Sequence, residues 1–402
     1  MTDKISTYIW PGDTHFGYGA ADLLGAEARA RGIARAMVLT DGGVQQAGLL
    51  APLLASLTAA GIDCSTYDAI PGNPDIAAVD AAVAAFIDWR ADGVVAVGGG
   101  SVMDAAKGVR LVAGGAVENG QAPPPSIGHY ALPLGERARP APPAALLPPM
   151  LALPTTAGTG AEVTPWGVIT DLAAGRKFGI GGPYLLPTAA LIDPALTLTL
   201  PPGLTAATGL DALSHLIEAY VSTNNNPALD PLILHGIELI GRSLPVAVAQ
   251  PGQRTAREEV MLAAMLGGIA ISSNWLGACH SLAHPLSALA DLHHGVAIGV
   301  MLPHQMAFSL VGAPERYAQV GERLLGTRLG RRSSRRARAE QAVAAVTQLL
   351  QDVGLPTRLG EAGVEETLIP ALGQAAYKDT NWMTNPRLVE AGHLEQLYRA
   401  AF

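Results

Sequence analysis

The chain has 402 residues, of which 49% are hydrophobic and 15% are charged, and its formal net charge at pH 7 is −8. This length favours two domains, since a single hydrophobic core usually stops growing at about 250–300 residues. An acidic balance argues against nucleic acid as the main partner, because phosphate binding needs a clustered excess of Lys and Arg.

The first half of the chain alternates apolar runs with Ala-rich stretches of helical periodicity, such as Ile76 to Trp89. Strands are predicted at 36–40, 63–67, 93–97, 150–154 and 189–193. Strands that alternate with helices in this way form a parallel sheet whose two faces are both covered. The first half is therefore predicted to be an α/β domain of the Rossmann-like kind.

Residues 113–150 are rich in proline and are predicted to form a surface excursion without regular structure. After about Pro202, helical patterns take over and no strand is predicted. These helices are expected at 204–222, 229–248, 254–278, 297–310, 314–325, 337–353 and 386–400. The sequence thus predicts an α/β domain, 1–198, followed by an all-helical domain, 199–402.

Three further features bear on partners and compartment. Cys64 and Cys279 are the only cysteines, so no disulfide framework is implied and the cytoplasm is the simplest compartment. The N-terminus lacks an apolar signal region, and the longest apolar stretches fall short of about 20 residues, so no membrane span is expected. The arginine-rich run from Arg328 to Arg338 is interpreted as a solvated loop leading into a helix.

A glycine-rich loop, Gly98 to Lys107, lies between a predicted strand and a predicted helix. Its glycines let the backbone approach a pyrophosphate, and the free N–H groups at the helix start can bind phosphate oxygens. Ser101 and Asp104 have the spacing of a capping box. Such a loop alone is as readily a glycine turn that binds no ligand.

Two more features favour a nucleotide site. Asp41 ends a predicted strand, where a carboxylate can accept hydrogen bonds from an adenosine ribose and repels a 2′-phosphate, which favours NAD over NADP. Here the acid precedes the glycines, so this is not the usual dinucleotide fingerprint. A second loop, 154–162, offers the hydroxyls of Thr155, Thr156 and Thr159 for ribose, phosphate or carboxamide groups.

Asp211 and His215 are four residues apart in a strongly helical stretch, which places both on one face where they can hold one ion. Five of the ten histidines lie between 280 and 304, and spacing alone does not select among them. Each residue taken singly is more readily a hydrogen-bonded core residue or a helix-start charge. As a set they predict a metal site, and imidazoles with one carboxylate suit Fe(II) or Zn(II).

Together these motifs resemble the iron-dependent (group III) alcohol dehydrogenase family, which shares its fold with dehydroquinate synthase and glycerol dehydrogenase. The resemblance runs along almost the whole chain. It covers Phe16-Gly17, Asp41-Gly42-Gly43, 98–107, 155–162, Ile192-Asp193-Pro194, 209–215, 280–286, His294-Gly295 and 384–387.

The resemblance implies reversible hydride transfer between a small alcohol, or its aldehyde or ketone, and NAD(H). The implied metal ligands are Asp211, His215, His280 and His294, holding Fe(II) with Zn(II) as the alternative. His284 is implied to be catalytic, relaying a proton without binding the metal. The implied NAD contacts are Asp41, Gly99, Gly100, Ser101, Asp104, Thr155, Thr156, Thr159 and Lys177. Members of the family are commonly dimers or larger assemblies.

Departures from the family pattern, such as Trp166 where Asn is frequent near the nicotinamide, bear on the substrate and not on the reaction class. Trp275 and Trp382 are bulky residues that either narrow the pocket or only pack. Three alternatives stay open at this point. They are a lyase of the dehydroquinate-synthase type, a maleylacetate-reductase-like enzyme that works without metal, and a binding protein that kept the fold without the activity.

Overall fold

The structure is a computed structural model that describes residues 6–119, 126–132, 143–328 and 333–402. Its internal contacts divide the chain into two compact units. The sheet unit comprises Pro11–Thr156 and Ala161–Thr199, and the helical unit comprises the segment up to Trp10, Ala157–Gly160 and Leu200–Phe402. The single domain boundary at 198/199 stays a prediction, since two short segments from the first half also group with the helical unit.

The sheet unit is built on a six-stranded, all-parallel sheet in the order β1-β8-β5-β4-β2-β3, with a separate antiparallel pair, β6-β7. The strands are β1 Asp13–Phe16, β2 Arg35–Leu39, β3 Asp63–Tyr67, β4 Gly93–Gly98, β5 Met150–Pro154, β6 Trp166–Asp171, β7 Arg176–Gly181 and β8 Ala189–Ile192. The prediction of a parallel α/β sheet is confirmed. β1, β6 and β7 were missed because they lack a continuous apolar run.

Both faces of the sheet are buried. Along β4, Val94 and Ala96 pack into one hydrophobic core, while Val95 and Val97 pack into the other. Successive side chains of a strand point to opposite faces, so burial of both faces explains why this strand is apolar throughout. The helices of this unit are α1 Leu24–Ala30, α2 Gly42–Gln46, α3 Leu50–Ala59, α4 Ile76–Asp88 and α5 Gly100–Asn119.

The prediction that 113–150 lacks regular structure was partly wrong. Helix α5 continues to Asn119, because Leu111, Val112 and Ala113 are buried in the core and prolong its apolar face. Short 3₁₀ turns follow at Ile127–Tyr130 and Ala144–Leu146. The rest of the excursion, 120–125 and 133–142, lies outside the described residues.

Among the residues described after Thr199 there are helices and no strand, as predicted. The helices are α6 Pro202–Val221, α7 Asp230–Ala249, α8 Arg254–Asn274, α9 Ala278–Leu289, α10 His294–Ser309, α11 Pro314–Leu324, α12 Arg335–Asp352, α13 Ile369–Lys378 and α14 Ala391–Ala401. The helix predicted at 254–278 is confirmed as α8 but ends earlier, at Asn274, and the chain then turns by 108° into α9, which was missed. α13 was missed, and the helix expected from 386 begins at Ala391.

Two helical segments, Pro227–Ala249 and His294–Gly312, are long and apolar enough to cross a membrane by length and composition, and the bent pair α8–α9 would add a third. The sequence reading expected no such segment. Buried side chains such as Ile237 and Leu302 show what the apolar residues contact instead, since both are 0% exposed within the folded chain. Packing inside the helical unit buries 67% of the apolar window of His294–Gly312 and 44% of that of Pro227–Ala249, so it accounts for the hydrophobicity of the former more fully than for that of the latter.

The arginine-rich run is solvated at Arg335 and Arg336, whose side chains are 76% and 72% exposed, whereas the side chain of Arg338 is half-buried at 26%. The side chains of three of its arginines form ion pairs with glutamates: Arg335 with Glu315, Arg336 with Glu340, and Arg338 with Glu322. Arg331 and Arg332 lie outside the described residues. Ion pairs of this exposed kind contribute little to stability.

Candidate metal and nucleotide sites

Helix α6 presents three acidic or imidazole side chains along one stripe. Asp211, His215 and Glu218 are spaced i, i+4 and i+7, which aligns them on one helical face, and all three are buried. Burial of two carboxylates on one stripe is unfavourable unless a positive charge compensates them. The stripe is therefore the base of a candidate cation site.

Two other helices add imidazoles to this stripe, His280 from the first turn of α9 and His294 from the first residue of α10. The Oδ1 atom of Asp211 lies 3.6 Å from His215 Nε2, 3.7 Å from His280 Nε2 and 3.6 Å from His294 Nε2. Ligands at about 2.1 Å from one ion in a tetrahedron would lie about 3.4 Å apart. Each of the three imidazoles thus lies at ligand spacing from the one carboxylate oxygen, and Asp211, His215 and His280 form a buried group that could hold a metal ion.

Unsatisfied polar atoms support the same interpretation. Asp211 Oδ1 and His280 Nε2 are buried, and neither has a hydrogen-bond partner among the residues that the structure describes. The distance between them, 3.7 Å, is longer than a hydrogen bond. A buried polar atom without a partner costs about 1–3 kcal/mol. One cation shared by these atoms would remove that penalty, so the residues present fit a metal ion.

The electrostatics of the cluster also favour positive charge. Burial alone would raise the pKa of Asp211, but the charges of His215, His294 and His280 outweigh burial and place that pKa well below its usual range. Burial lowers the pKa of His280, yet Glu218 and Asp211 outweigh it and raise that pKa to about 9. Each carboxylate thus stabilises positive charge between them.

Glu218 is a residue of this site that the sequence reasoning missed. Its Oε2 lies 2.5 Å from His280 Nδ1, and its Oε1 accepts a 2.7 Å hydrogen bond from the backbone N–H of Cys279. The carboxylate therefore caps the start of α9 and orients the imidazole whose Nε2 faces Asp211. Its i+7 spacing from Asp211 was the signal that could have found it.

Two glycines allow the three helices to approach this closely. A Cβ atom at Gly277 would lie 2.6 Å from Glu218 Oε1, and a Cβ atom at Gly295 would lie 2.3 Å from the carbonyl oxygen of Ala207 on α6. A larger residue at Gly295 would meet the backbone of α6 and move the start of α10 away from it, whereas one at Gly277 would displace the Glu218 carboxylate that orients His280. The glycines thus set the positions of His280 and His294.

His284, the predicted proton relay, lies one turn beyond His280 on α9. Its Nδ1 lies 2.6 Å from Asp379 Oδ2, and its ring centroid is 5.5 Å from that of His294. His284 Nδ1 is therefore engaged by a carboxylate and not by the metal cluster. Asp379 was missed by the sequence reasoning, because 95 residues separate it from His284 and no spacing pattern links them.

In the sheet unit, the two loops predicted to bind nucleotide are brought together at the carboxyl ends of β4 and β5. Gly98 is in register with Pro154, and the N–H of Thr155 donates a 3.0 Å hydrogen bond to the carbonyl of Gly98. A Cβ atom at Gly99 would lie 3.2 Å from the methyl group of Thr156. Helix α5 then begins at Gly100. This edge of a parallel sheet is where such folds bind ligands.

The capping box predicted from Ser101 and Asp104 is wrong. Helix α5 already includes Ser101, whose hydroxyl donates a 2.5 Å hydrogen bond to the carbonyl of Gly72. Asp104 Oδ2 accepts a 3.0 Å hydrogen bond from the N–H of Val168 on β6. Both side chains bond to segments distant in sequence, which local spacing could not reveal.

The remaining predicted cofactor contacts are spread over several segments. Asp41 follows β2, the neighbour of β4 in the sheet, and its Oδ1 caps α2 by accepting hydrogen bonds from the N–H groups of Gly43 and Val44 at 2.8 and 3.0 Å. Lys177 Nζ lies 3.2 Å from Asn73 Oδ1. Thr159 lies in the short segment assigned to the helical unit.

Comparison with known proteins decides the family. Residues 11–194 match the family model described as iron-containing alcohol dehydrogenase, and residues 205–402 match the model of its C-terminal region. A probable alcohol dehydrogenase, EutG, of Salmonella typhimurium is 39% identical over 398 residues, covering 99% of this chain and 95% of the relative. The chain belongs to the iron-containing alcohol dehydrogenase family.

Two further comparisons agree with this assignment. An NAD-dependent methanol dehydrogenase of Bacillus methanolicus is 33% identical, covering 99% of this chain and 100% of the relative. The crystal structure of a 1,3-propanediol oxidoreductase matches with a TM-score of 0.91 at 36% identity, covering 99% of this chain and 100% of that chain.

Membership settles the reaction class. The protein is an NAD-dependent alcohol dehydrogenase, an oxidoreductase that acts on CH–OH groups, and it carries the Asp-His-His metal site of its family. The lyase and the metal-free reductase considered above therefore give way to the dehydrogenase. A binding protein without activity is not favoured either, since Asp211, His215 and His280 are all in place.

In this family member, Trp166 and Trp382 both have internal contacts. The ring of Trp166 packs against Gly181, where a Cβ atom would lie 2.0 Å from the ring atom Cε3. The indole N–H of Trp382 donates to the carbonyl of Tyr377, and the two rings stack with centroids 5.0 Å apart. Packing therefore explains part of the role of each, and neither identifies the substrate.

Proposed function

We propose that this dehydrogenase holds one divalent cation with Asp211, His215, His280 and His294. The observation that carries the proposal is the placement of three imidazole Nε2 atoms within 3.6–3.7 Å of one carboxylate oxygen. Imidazole nitrogens with a single carboxylate suit Fe(II) and Zn(II) better than Mg²⁺ or Ca²⁺, which prefer oxygen ligands. We assign Fe(II) as the physiological ion and Zn(II) as the alternative.

We further propose that NAD binds at the carboxyl ends of the parallel strands. The start of α5 at Gly100, directly after β4, offers free N–H groups to the pyrophosphate. Asp41 lies at the same edge and favours a ribose with a free 2′-hydroxyl, hence NAD over NADP. The proposed contacts are Asp41, Gly99, Gly100, Ser101, Asp104, Thr155, Thr156, Thr159 and Lys177.

The reaction follows from these assignments. When bound, the ion supplies a Lewis acid that lowers the pKa of the substrate hydroxyl, and NAD supplies the hydride acceptor. Glu218 orients His280, and the buried Asp211 supplies the negative charge that retains a cation. His284 lies beside His294 with its Nδ1 held by Asp379, and it takes up the proton that the alcohol releases.

The substrate is proposed to be a small alcohol, or in reverse a small aldehyde or ketone. The relatives support this class, because their names refer to alcohols, to methanol and to 1,3-propanediol. A homodimer or larger homo-oligomer in the cytoplasm is proposed from the family resemblance. The two cysteines fit this compartment, since both are free.

Metal analysis combined with steady-state rates tests the assignment of roles. We expect His280→Ala to lose the metal and the activity together. His284→Ala should keep the metal and lose turnover. His235→Ala, which removes an exposed histidine of α7, is the matched control and should keep both. Equal metal loss in the His280 and His284 variants would contradict the distinction between ligand and relay.

The metal and substrate are tested by anaerobic reconstitution. The apoprotein is loaded separately with Fe(II), Zn(II), Mn(II) or Co(II), and NADH absorbance is followed with short alcohols, diols and aldehydes. We expect the highest turnover with Fe(II) on a short alcohol or aldehyde. Activity of the metal-free protein equal to that of the loaded forms would overturn the proposed metal-dependent reaction.

A further inference from the structure

The two carboxylate oxygens of Asp379 have different partners. Oδ1 accepts hydrogen bonds from the backbone and side-chain N–H groups of Asn381 at 3.0 and 2.8 Å, and from the hydroxyl of Ser281 at 3.1 Å, which the backbone carbonyl of Asp379 shares at the same distance. Oδ2 lies 2.6 Å from His284 Nδ1. Three donors on one oxygen fix the plane of the carboxylate and leave the other oxygen aimed at the imidazole.

The same contacts tie Asp379 to the helix that carries the metal cluster. Ser281 is the residue after His280 on α9, and its hydroxyl also accepts a 2.9 Å hydrogen bond from the backbone N–H of Trp382. Asp379 thus reaches α9 at two positions three residues apart, through Ser281 and through His284. Positions i and i+3 lie on one face of a helix, so a single carboxylate spans both.

The orientation of His284 follows from these bonds. A carboxylate only accepts hydrogen bonds, so the imidazole nitrogen that faces Oδ2 has to carry a hydrogen. The ring of His284 stacks on His294 at an interplanar angle of 25° and meets His280 edge-on at 78°. These contacts and the bond to Asp379 hold the ring with Nδ1 toward the carboxylate, and they leave Nε2 available as a proton acceptor.

We propose that Asp379 is the positioning residue of this dehydrogenase, fixing His284 as the tautomer that carries its hydrogen on Nδ1. This inference rests on the proposed relay function of His284. In the oxidative direction the alcohol gives its hydroxyl proton to His284 Nε2 and its carbinol hydrogen, as hydride, to oxidised NAD. The products are the carbonyl compound, NADH and a protonated His284 whose charge Asp379 stabilises.

Asp379→Asn is a sharp test because the structure predicts which way the new amide points. The three donors around Oδ1 require an acceptor, so the amide oxygen takes that place and the NH₂ group faces His284. His284 Nδ1 then has to accept a hydrogen bond, which moves the imidazole hydrogen to Nε2. The shape of the side chain is kept, and only the tautomer of His284 is reversed.

The experiment compares Asp379→Asn with the wild type and with Asp230→Asn, a matched change at an acid of the same unit that pairs with Arg316. Both are loaded with Zn(II), and ¹⁵N-histidine NMR reports the tautomer of His284. We expect the Asp379 variant to shift the His284 hydrogen to Nε2, to lower kcat about 10²-fold or more, and to leave KM and metal content near wild type. Asp379→Glu should recover part of kcat.

Three outcomes separate the possibilities. If His284→Ala keeps full turnover, His284 is not the proton relay, and this inference loses its basis. If His284→Ala loses turnover but Asp379→Asn stays active, and the tautomer of His284 in Asp379→Asn is that of the wild type, the inference is overturned and the proposed function stands. Parallel loss of melting temperature, metal and activity in Asp379→Asn would also overturn it, since Asp379 would then only hold α9 in place. The double variant His284→Ala/Asp379→Asn should lose no more kcat than His284→Ala alone, because Asp379 acts on the reaction only through His284.

Discussion

The two units of the molecule each contain a pair of carboxylates that are buried or half-buried, and they compensate those charges differently. In the helical unit, Asp211 and Glu218 share three histidines, and polar atoms are left without hydrogen-bond partners. In the sheet unit, the ammonium of Lys107, which is 0% exposed, attracts the half-buried Asp104 and the buried Glu162. One cluster needs a cation from solution, whereas the other contains its own.

Hydrogen bonding shows the same contrast. Lys107 Nζ donates to Thr164 Oγ1 at 3.1 Å and to the carbonyl of Trp166 at 2.5 Å, and it lies 4.0 Å from Asp104 Oδ1. Burial lowers the pKa of Lys107 to about 8 and raises the pKa of Glu162 to about 7. Burial favours the neutral form of each group, and the attraction between Lys107 and Glu162 opposes this effect. The histidine cluster instead keeps Asp211 ionised, as a ligand must be.

Removal of the internal cation should have the largest effect on stability. Lys107→Met leaves the buried Glu162 and the half-buried Asp104 without their compensating charge, and we expect the free energy of unfolding to fall by about 3–5 kcal/mol. Urea unfolding measures the loss, and amide hydrogen exchange in β4 localises it to the sheet unit. Lys378→Met removes an exposed lysine and serves as the control. A loss no larger than in this control would break the comparison.

The pH dependence of stability should report the buried acid of the same cluster. The pKa of Glu162 rises from 4.5 to about 7, mainly through burial, so between these values the folded state binds more protons than the unfolded state. The wild-type free energy of unfolding therefore falls as the pH rises from 4.5 to 7. Glu162→Gln does not titrate, so its advantage over the wild type should grow across this range, to about 3 kcal/mol.

Unfolding curves at several pH values test this expectation. Glu366→Gln, at an exposed acid, provides the baseline for loss of one carboxylate. The opposite outcome is a difference in free energy of unfolding between Glu162→Gln and the wild type that stays constant from pH 4.5 to 7. That result would contradict the raised pKa and would show that the charge of Lys107 offsets the burial of Glu162.

In the helical unit the corresponding change affects metal affinity. Glu218→Gln keeps an acceptor for the Cys279 N–H but weakens the partner of His280 Nδ1. Loss of such a partner typically lowers metal affinity about 10–100-fold. Competition with a chelator measures the affinity for Zn(II), with Glu238→Gln, a surface acid paired to Arg323, as the control. Unchanged affinity would mean that Glu218 only caps α9.

The contrast also shows what the sequence could predict. Strand β4 was predicted because burial of both its faces makes it uniformly apolar. Asp211 and His215 were predicted as a pair because residues four apart lie on the same face of any α-helix. The β6–β7 pair was missed because polar residues and glycines interrupt its apolar pattern.

Long-range contacts were beyond such patterns. Spacing left five histidines as candidates, and only the packing of three helices brings His280 and His294 to Asp211. Asp379 reaches His284 across 95 residues, and the acceptor of the Ser101 hydroxyl lies on another segment. Such pairs depend on the tertiary fold, which local periodicity does not encode.

The smallest expected effect concerns the turn before α9, where the helical unit stores backbone strain as well as unsatisfied charge. Trp275 has φ +66° and ψ −176°, a region that costs a residue other than glycine about 1–3 kcal/mol, and its side chain is 56% exposed. We expect Trp275→Gly to relieve this strain, so its free energy of unfolding should be about 1 kcal/mol higher than that of Trp275→Ala, after the entropy that glycine loses on folding is subtracted.

Trp275→Ala is the control, because both variants lack the indole ring and only the alanine keeps a Cβ atom. The difference between the two in urea unfolding therefore measures the backbone strain. A glycine variant no more stable than the alanine variant would mean that the turn before the metal helix is unstrained, which would confine the contrast between the two units to their charges.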